Sequence, residues 1–226
     1  MNRAERRRQK KLSAKIHADE VILGVDDIFQ KAITAHQSGQ IVEAINCYEK
    51  VIKLEPEHSI AFSNMGVALQ SIGRLSEAIN CYKQAIQIQP GYVGAFSNLG
   101  FALTEQGNMD EATSVLQKAV TMQPDHADAH YNLGNLQKEQ EKLDDAVVSY
   151  KKAIALNPQY TDAHYNLAII LQRQQRVDEA IIYYQNTINL KPDLAQAYYN
   201  LAIIYQNQNK LEQAVLFYQQ AIAVIP

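Results

Sequence analysis

Five asparagines, Asn64, Asn98, Asn132, Asn166 and Asn200, stand 34 residues apart. Asn is an indifferent helix residue, and a bland solvated face would sooner carry Glu, Lys or Gln. A carboxamide offers both donors and an acceptor, the complement of a peptide unit. The row therefore has two readings. Each Asn caps a helix or bridges to a neighbouring unit, or the row grips the main chain of an extended peptide. Tyr131, Tyr165 and Tyr199 directly precede the last three members, and Ser63 and Ser97 the first two. A tyrosine stripe at helical spacing is more often core. Here the preceding residues Phe62, Phe96, His130, His164 and Tyr198 already fill that place, which leaves the rings at the margin, able to cover ligand side chains. Asp128 and Asp162 lie one helical turn before Asn132 and Asn166.

Other chemistry is thinly supported. His126 and His130 have the i, i+4 spacing of a zinc pair, with His164 one period beyond His130. No HExxH surrounds them and no cysteine is near, so no metal site is expected. Glycines are spread one or two per period rather than gathered in a phosphate loop, and no carboxylate pair stands out as acid and base. The chain is not expected to be an enzyme by itself, and no cofactor is implied. Cys47 and Cys81, also 34 apart, would sit on stacked helices too far apart for a disulfide. They read as reduced, buried residues in a reducing, cytoplasmic setting.

The first fifteen residues, MNRAERRRQKKLSAK, hold seven Lys or Arg and one Glu, against 14 basic and 23 acidic residues from Ile16 onward. Residues 1–24 are expected to be a basic head, helical or partly disordered. It has no aromatic residue for base stacking, and the acidic body would repel a long nucleic acid, so nucleic acid is not an expected partner. No apolar run reaches the roughly 18 residues of a membrane helix.

What must position the asparagines is a repeating element. All six prolines, Pro56, Pro90, Pro124, Pro158, Pro192 and Pro226, share the 34-residue period, the mark of stacked supersecondary units without a central core. Counting each Pro as position 32 gives repeats at 25–58, 59–92, 93–126, 127–160, 161–194 and 195–226. Ala61, Phe62, Met65, Gly66 and Leu69 mark one helical face, and Ala78, Ile79, Tyr82, Ala85 and Ile86 a second. Gly39, Gly73 and Gly107 stand where a left-handed residue ends the first helix, and Glu141, Gln175 and Asn209 replace them later. Small residues at positions 8 and 20 let the two helices approach. Tyr at position 24 fills the next layer, with Leu116 the exception.

These residues resemble the tetratricopeptide repeat: a bulky residue at 4, Leu at 7, Gly or Ala at 8, Ala at 20, an aromatic at 24, Ala at 27 and Pro at 32. The match is good in repeats two to six and degenerate in the first, where Ile28, Lys31 and Val51 hold positions 4, 7 and 27. The resemblance implies an all-α, right-handed superhelical solenoid of helix-turn-helix repeats, an α-α superhelix. In such arrays positions 2, 5, 6, 9, 12 and 13 of the first helix line a concave groove. The Asn row further resembles the repeat region of O-linked N-acetylglucosamine transferases, whose Asn residues would contact ligand main chain. With first helices roughly 10 Å apart and a peptide advancing about 3.3 Å per residue, one Asn would meet every third residue. The clamp for chaperone C-terminal carboxylates is missing, because Tyr131, Gln196 and Asn200 occupy its three basic places.

The expected function is a protein-interaction scaffold that holds an extended peptide or protein segment through Asn64, Asn98, Asn132, Asn166, Asn200, Tyr131, Tyr165, Tyr199, Asp128 and Asp162. Removing three of the asparagines is expected to abolish capture with little loss of melting temperature. The alternative is the substrate-recruiting part of a larger glycosyltransferase-type enzyme with a catalytic domain beyond residue 226. The open apolar stripe of the sixth repeat predicts that the natural protein continues or that copies associate end to end.

Overall fold

Each first helix ends on a left-handed residue because the chain must reverse within three positions. Gly39, Gly73 and Gly107 have φ of 74°, 77° and 83°, and Glu141, Gln175 and Asn209 take φ of 58°, 60° and 58° in their stead. Around each, the next amide reaches back five residues, as Gln40 N to Ala35 O (2.9 Å) and Arg176 N to Leu171 O (2.9 Å). This satisfies carbonyls that a bare helix end leaves open.

The structure, a computed structural model, describes residues 24–225. Among them are twelve α-helices: α1 Val25–Gln37, α2 Ile41–Leu54, α3 Ser59–Ser71, α4 Leu75–Ile88, α5 Val93–Gln106, α6 Met109–Met122, α7 Ala127–Glu139, α8 Leu143–Leu156, α9 Thr161–Arg173, α10 Val177–Leu190, α11 Ala195–Asn207 and α12 Leu211–Ala223. The all-α helical-repeat class expected from the sequence is the one observed. The basic head lies outside the described residues, apart from Gly24.

Helix starts and stops follow local chemistry. His58 Nδ1 accepts from Ala61 N and His126 Nδ1 from Ala129 N, each at 3.2 Å, capping α3 and α7. Acidic residues such as Glu77 and Asp145 occupy the first turn of second helices, near the positive end of the dipole. Each of the first five second helices stops two residues before its proline. The intervening residue, for instance Gln89 or Asn157, is extended at φ −128° or −132°, as the clash with a following proline ring requires.

The described residues divide into two compact units, one ending at Ala95 and the other beginning at Phe96. In the first, Ala32, Ala44, Tyr48 and Val51 form a core with Ala61 and Cys47. Gly66 lies so close to Tyr82 that a Cβ there would come within 2.6 Å of the ring. In the second, Tyr150, Leu167, Leu171, Tyr184 and Leu201 form a continuous core with Ala146, Ala180 and Ala197. Gly100 and Gly134 approach Leu116 and Tyr150 in the same way. The small residues at positions 8 and 20 are what bring the paired helices together.

Candidate functional site

Within the second unit Asn132, Asn166 and Asn200 face the repeat before them. Asn132, 9% exposed, donates from Nδ2 to Ser97 Oγ (2.9 Å) and Ser97 O (3.2 Å). Asn166 donates to Tyr131 OH (3.2 Å) and Asn135 Oδ1 (3.3 Å). Asn200 donates to Tyr184 OH (3.1 Å) and Tyr165 OH (3.3 Å). Position 6 of one repeat thus bonds position 5 of the preceding one at each of these junctions. In the first unit Asn64 bonds the hydroxyl of Tyr48, which burial pushes above the ordinary tyrosine range and this bond pulls back. Asn98 is half-buried. The bridging reading therefore describes the donors of Asn132, Asn166 and Asn200, while their Oδ1 atoms meet no donor among the described residues.

The tyrosines grade outward. Tyr131 and Tyr165 are half-buried and Tyr199 is 52% exposed. Each leans on the position 24 tyrosine of its own repeat, with ring centroids at 5.9, 6.0 and 5.7 Å from Tyr150, Tyr184 and Tyr218. Tyr131 also packs at 4.6 Å against Tyr160, whose hydroxyl is pushed well above its ordinary range by burial and by its contact with Asp128. Asp128 and Asp162 remain exposed. Ser63 and Ser97 are only 2% and 1% exposed, so these two side chains belong to helix packing and not to an open groove.

Two polar positions escaped the sequence reading. In three repeats position 12 partners position 24: Tyr82, Tyr184 and Tyr218 hydroxyls donate to Gln70, Gln172 and Gln206 Oε1 at 2.9, 2.8 and 2.6 Å. The signal in the pattern was partial. Gln stands at position 12 in those three repeats, while the fourth has Lys138 there and its Tyr150 bonds Asn135. Thr104, in the repeat with Leu116 at position 24, bonds Gly100 O of its own helix. Position 14 reaches back to the preceding second helix, as Gln140 Nε2 to Thr113 Oγ1 (3.1 Å) and Gln174 Nε2 to Asp144 Oδ1 (2.8 Å). Gln208, the next in that series, has a buried Oε1 without a partner.

His58, His126, His130 and His164 serve the fold: besides the caps, His130 and His164 Nε2 each lie 3.0 Å from the carbonyl of the preceding proline, Pro124 or Pro158. Among the described residues no three His, Cys, Asp or Glu side chains gather as metal ligands, and no helix is long and apolar enough to cross a membrane. Cys47 and Cys81 are free and buried, and burial pushes the Cys81 thiol up to about 11.

Two family models match the chain. One described as tetratricopeptide repeat covers residues 160–226, and one described as TPR repeat recurs at 35–73, 71–107, 102–141 and 138–175. The chain belongs to the tetratricopeptide repeat family. Among solved structures, this tetratricopeptide array is similar to MamA at 28% identity, with a TM-score of 0.63 over 71% of this chain and 94% of that one. It is similar to YrrB, described as "a TPR protein with an unusual peptide-binding site", at 24% identity and a TM-score of 0.60 over 79% and 92%. It also shares the fold of pilF from Pseudomonas aeruginosa, at 20% identity and a TM-score of 0.78 over 89% and 92%. No curated protein sequence matches the chain.

Proposed function

We propose that this tetratricopeptide array is a protein-interaction scaffold that holds an extended peptide or protein segment against the first helices α7, α9 and α11. The observation that carries this reading is the division of labour within each asparagine: Nδ2 is fixed by the preceding repeat, which orients Oδ1 as a pre-set acceptor for peptide N–H groups. Preorganisation of this kind lowers the entropy lost on binding. Asp128 and Asp162 bring negative charge beside the row, and Tyr131, Tyr165 and Tyr199 offer graded ring surface for ligand side chains. Asn64 and Asn98 are assigned the same role in their own repeats. The description of YrrB, a protein of this fold, as having a peptide-binding site is consistent with the reading. The free, buried cysteines fit a reducing, cytoplasmic setting.

The resemblance of the row to O-linked N-acetylglucosamine transferase repeats supports a second reading, in which the array presents protein substrates to a transferase domain. Coding sequence downstream of residue 226 decides between them.

The direct test offers the full chain to an array of random-sequence peptides. It compares the natural chain with one bearing Asp128→Asn, Asp162→Asn and Tyr199→Ala, all at exposed positions. Captured peptides should bind the variant about tenfold more weakly or worse, the equivalent of one or two net hydrogen bonds, while far-ultraviolet circular dichroism shows it still folded at the assay temperature. Equal binding by both proteins rejects the site.

A further inference from the structure

The junction of the fifth and sixth repeats differs from the one before it. Between repeats four and five, Asn135 Oδ1 accepts from Tyr150 OH (2.7 Å) and Asn166 Nδ2 (3.3 Å), and Gln174 Nε2 is bonded to Asp144 (2.8 Å). One junction later Ile169 stands in the place of Asn135, and Gln208 stands in the place of Gln174 with its buried Oε1 unpaired. A crevice of about 640 Å³ opens there among α9, α10 and α11, lined in part by Ile169, Gln172, Val177, Asn200, Ile204 and Gln208. That volume is in the range of ligand clefts. A buried carbonyl without a partner is uncommon in a folded protein and marks a place that a ligand or water completes.

We infer that this crevice is a specificity pocket for a carboxamide side chain, Asn or Gln, of the bound segment; the inference rests on the scaffold reading above. Its polar wall is complementary to that group and not to its charged relatives. Gln172 Oε1 is taken by Tyr184 OH, which leaves its Nε2 to donate. Asn200 Nδ2 is taken by Tyr184 and Tyr165, which leaves its Oδ1 to accept. Gln208 Oε1 is a second acceptor, brought to the crevice by rotation about its soft terminal torsion. These two acceptors and the Gln172 donor, with the carboxamides of Gln175 and Asn207 also in the lining, match the two N–H groups and the carbonyl of a primary amide. A carboxylate has no N–H to offer the acceptors. An ammonium would lose its water with no anion in the lining to compensate, since the lining contains Arg173 and no acidic residue. Arg173 is itself engaged by Glu141 at 2.7 Å. Ile169, Val177 and Ile204 supply apolar walls for the methylene stem.

The test uses the full chain and a positional-scanning library of synthetic peptides, with binding read by fluorescence polarisation. The natural protein should favour Asn or Gln over Ala, Glu and Lys at one peptide position by about tenfold, the worth of one net hydrogen bond. Ile169→Asn, which restores the residue found at the preceding junction, and Gln208→Leu, which removes the unpaired acceptor, should each reduce that preference below about twofold. Binding of the Ala peptide should be unchanged. Gln208→Leu should leave the melting temperature equal or higher, whereas a residue with a structural role would lower it. Peptides that bind without an amide preference, or a preference that survives both substitutions, overturn the pocket while leaving the scaffold reading intact. A library that yields no binder to the natural protein overturns the scaffold reading, and the pocket with it.

Discussion

At the scale of single residues, the asparagine row is part of the fold before it is part of any site. Asn132 is nearly buried and holds both the hydroxyl and the carbonyl of Ser97. Removing one partner of such a pair leaves the other short of its bond. Asn132→Ala should therefore lower stability by about 1–2 kcal/mol in urea unfolding. In a double-mutant cycle with Ser97→Ala the two losses should be less than additive. Additive losses would mean that the two side chains do not cooperate. The sequence-based expectation that three Asn substitutions leave the melting temperature almost unchanged is revised accordingly, because a carboxamide that orients a ligand here also bridges two repeats.

At the scale of elements, the turn between paired helices isolates a pure backbone effect. A Cβ at Gly73 would meet nothing within 4 Å, yet the residue sits at φ 77°. Gly73→Ala should thus destabilise by roughly 1 kcal/mol through conformation alone. The reverse change, Gln175→Gly, relieves a side chain held at φ 60° and should stabilise by about 0.5–1 kcal/mol, the gain being trimmed by the looser unfolded chain. Asn209→Gly should gain less, since Asn tolerates the left-handed region better than Gln. Thermal unfolding of the three variants gives the order directly. This turn was legible in the sequence because its requirement is local. The pairing of position 12 with position 24 was harder to see, because it joins two helices whose apposition exists only after the hairpin closes.

At the scale of the whole molecule, buried tyrosines set an alkaline limit on stability. Burial, reinforced by neighbouring Tyr131, Asp128 or Tyr165, pushes Tyr150, Tyr160 and Tyr184 well above the ordinary tyrosine range. Their folded-state values exceed the unfolded value of about 10. Their contribution to stability is therefore complete below about pH 10 and declines as pH rises beyond it, because only the unfolded chain ionises easily there. A spectrophotometric titration should show part of the 13 tyrosines ionising only as far-ultraviolet circular dichroism reports loss of helix. Ionisation of all of them ahead of unfolding would contradict the burial argument. The final helix makes a separate prediction. Val215, Leu216 and Ile222 of α12 are 54%, 51% and 70% exposed, and contiguous exposed apolar surface favours association. The chain should sediment with a concentration-dependent mass, and Leu216→Lys with Ile222→Lys should render it monomeric. Identical sedimentation of both forms would remove self-association from its properties.

The period of the prolines, the small residues at positions 8 and 20, and the left-handed residue at position 15 determined the helical hairpin and its recurrence. Each acts within one repeat, where sequence spacing is spatial spacing, so Gln175 and Asn209 could be read as left-handed without any neighbour. The face that carries the asparagines followed by subtraction, once the apolar positions were assigned to packing. Only the tertiary structure decided what those side chains do, because their partners belong to the preceding repeat. Asn166 and Asn200 are the same residue at the same position, yet one meets Asn135 in a filled junction and the other overlooks a crevice beside Ile169. That difference depends on how two repeats stack, and a hydrogen bond of 3 Å reports it where a 34-residue spacing cannot.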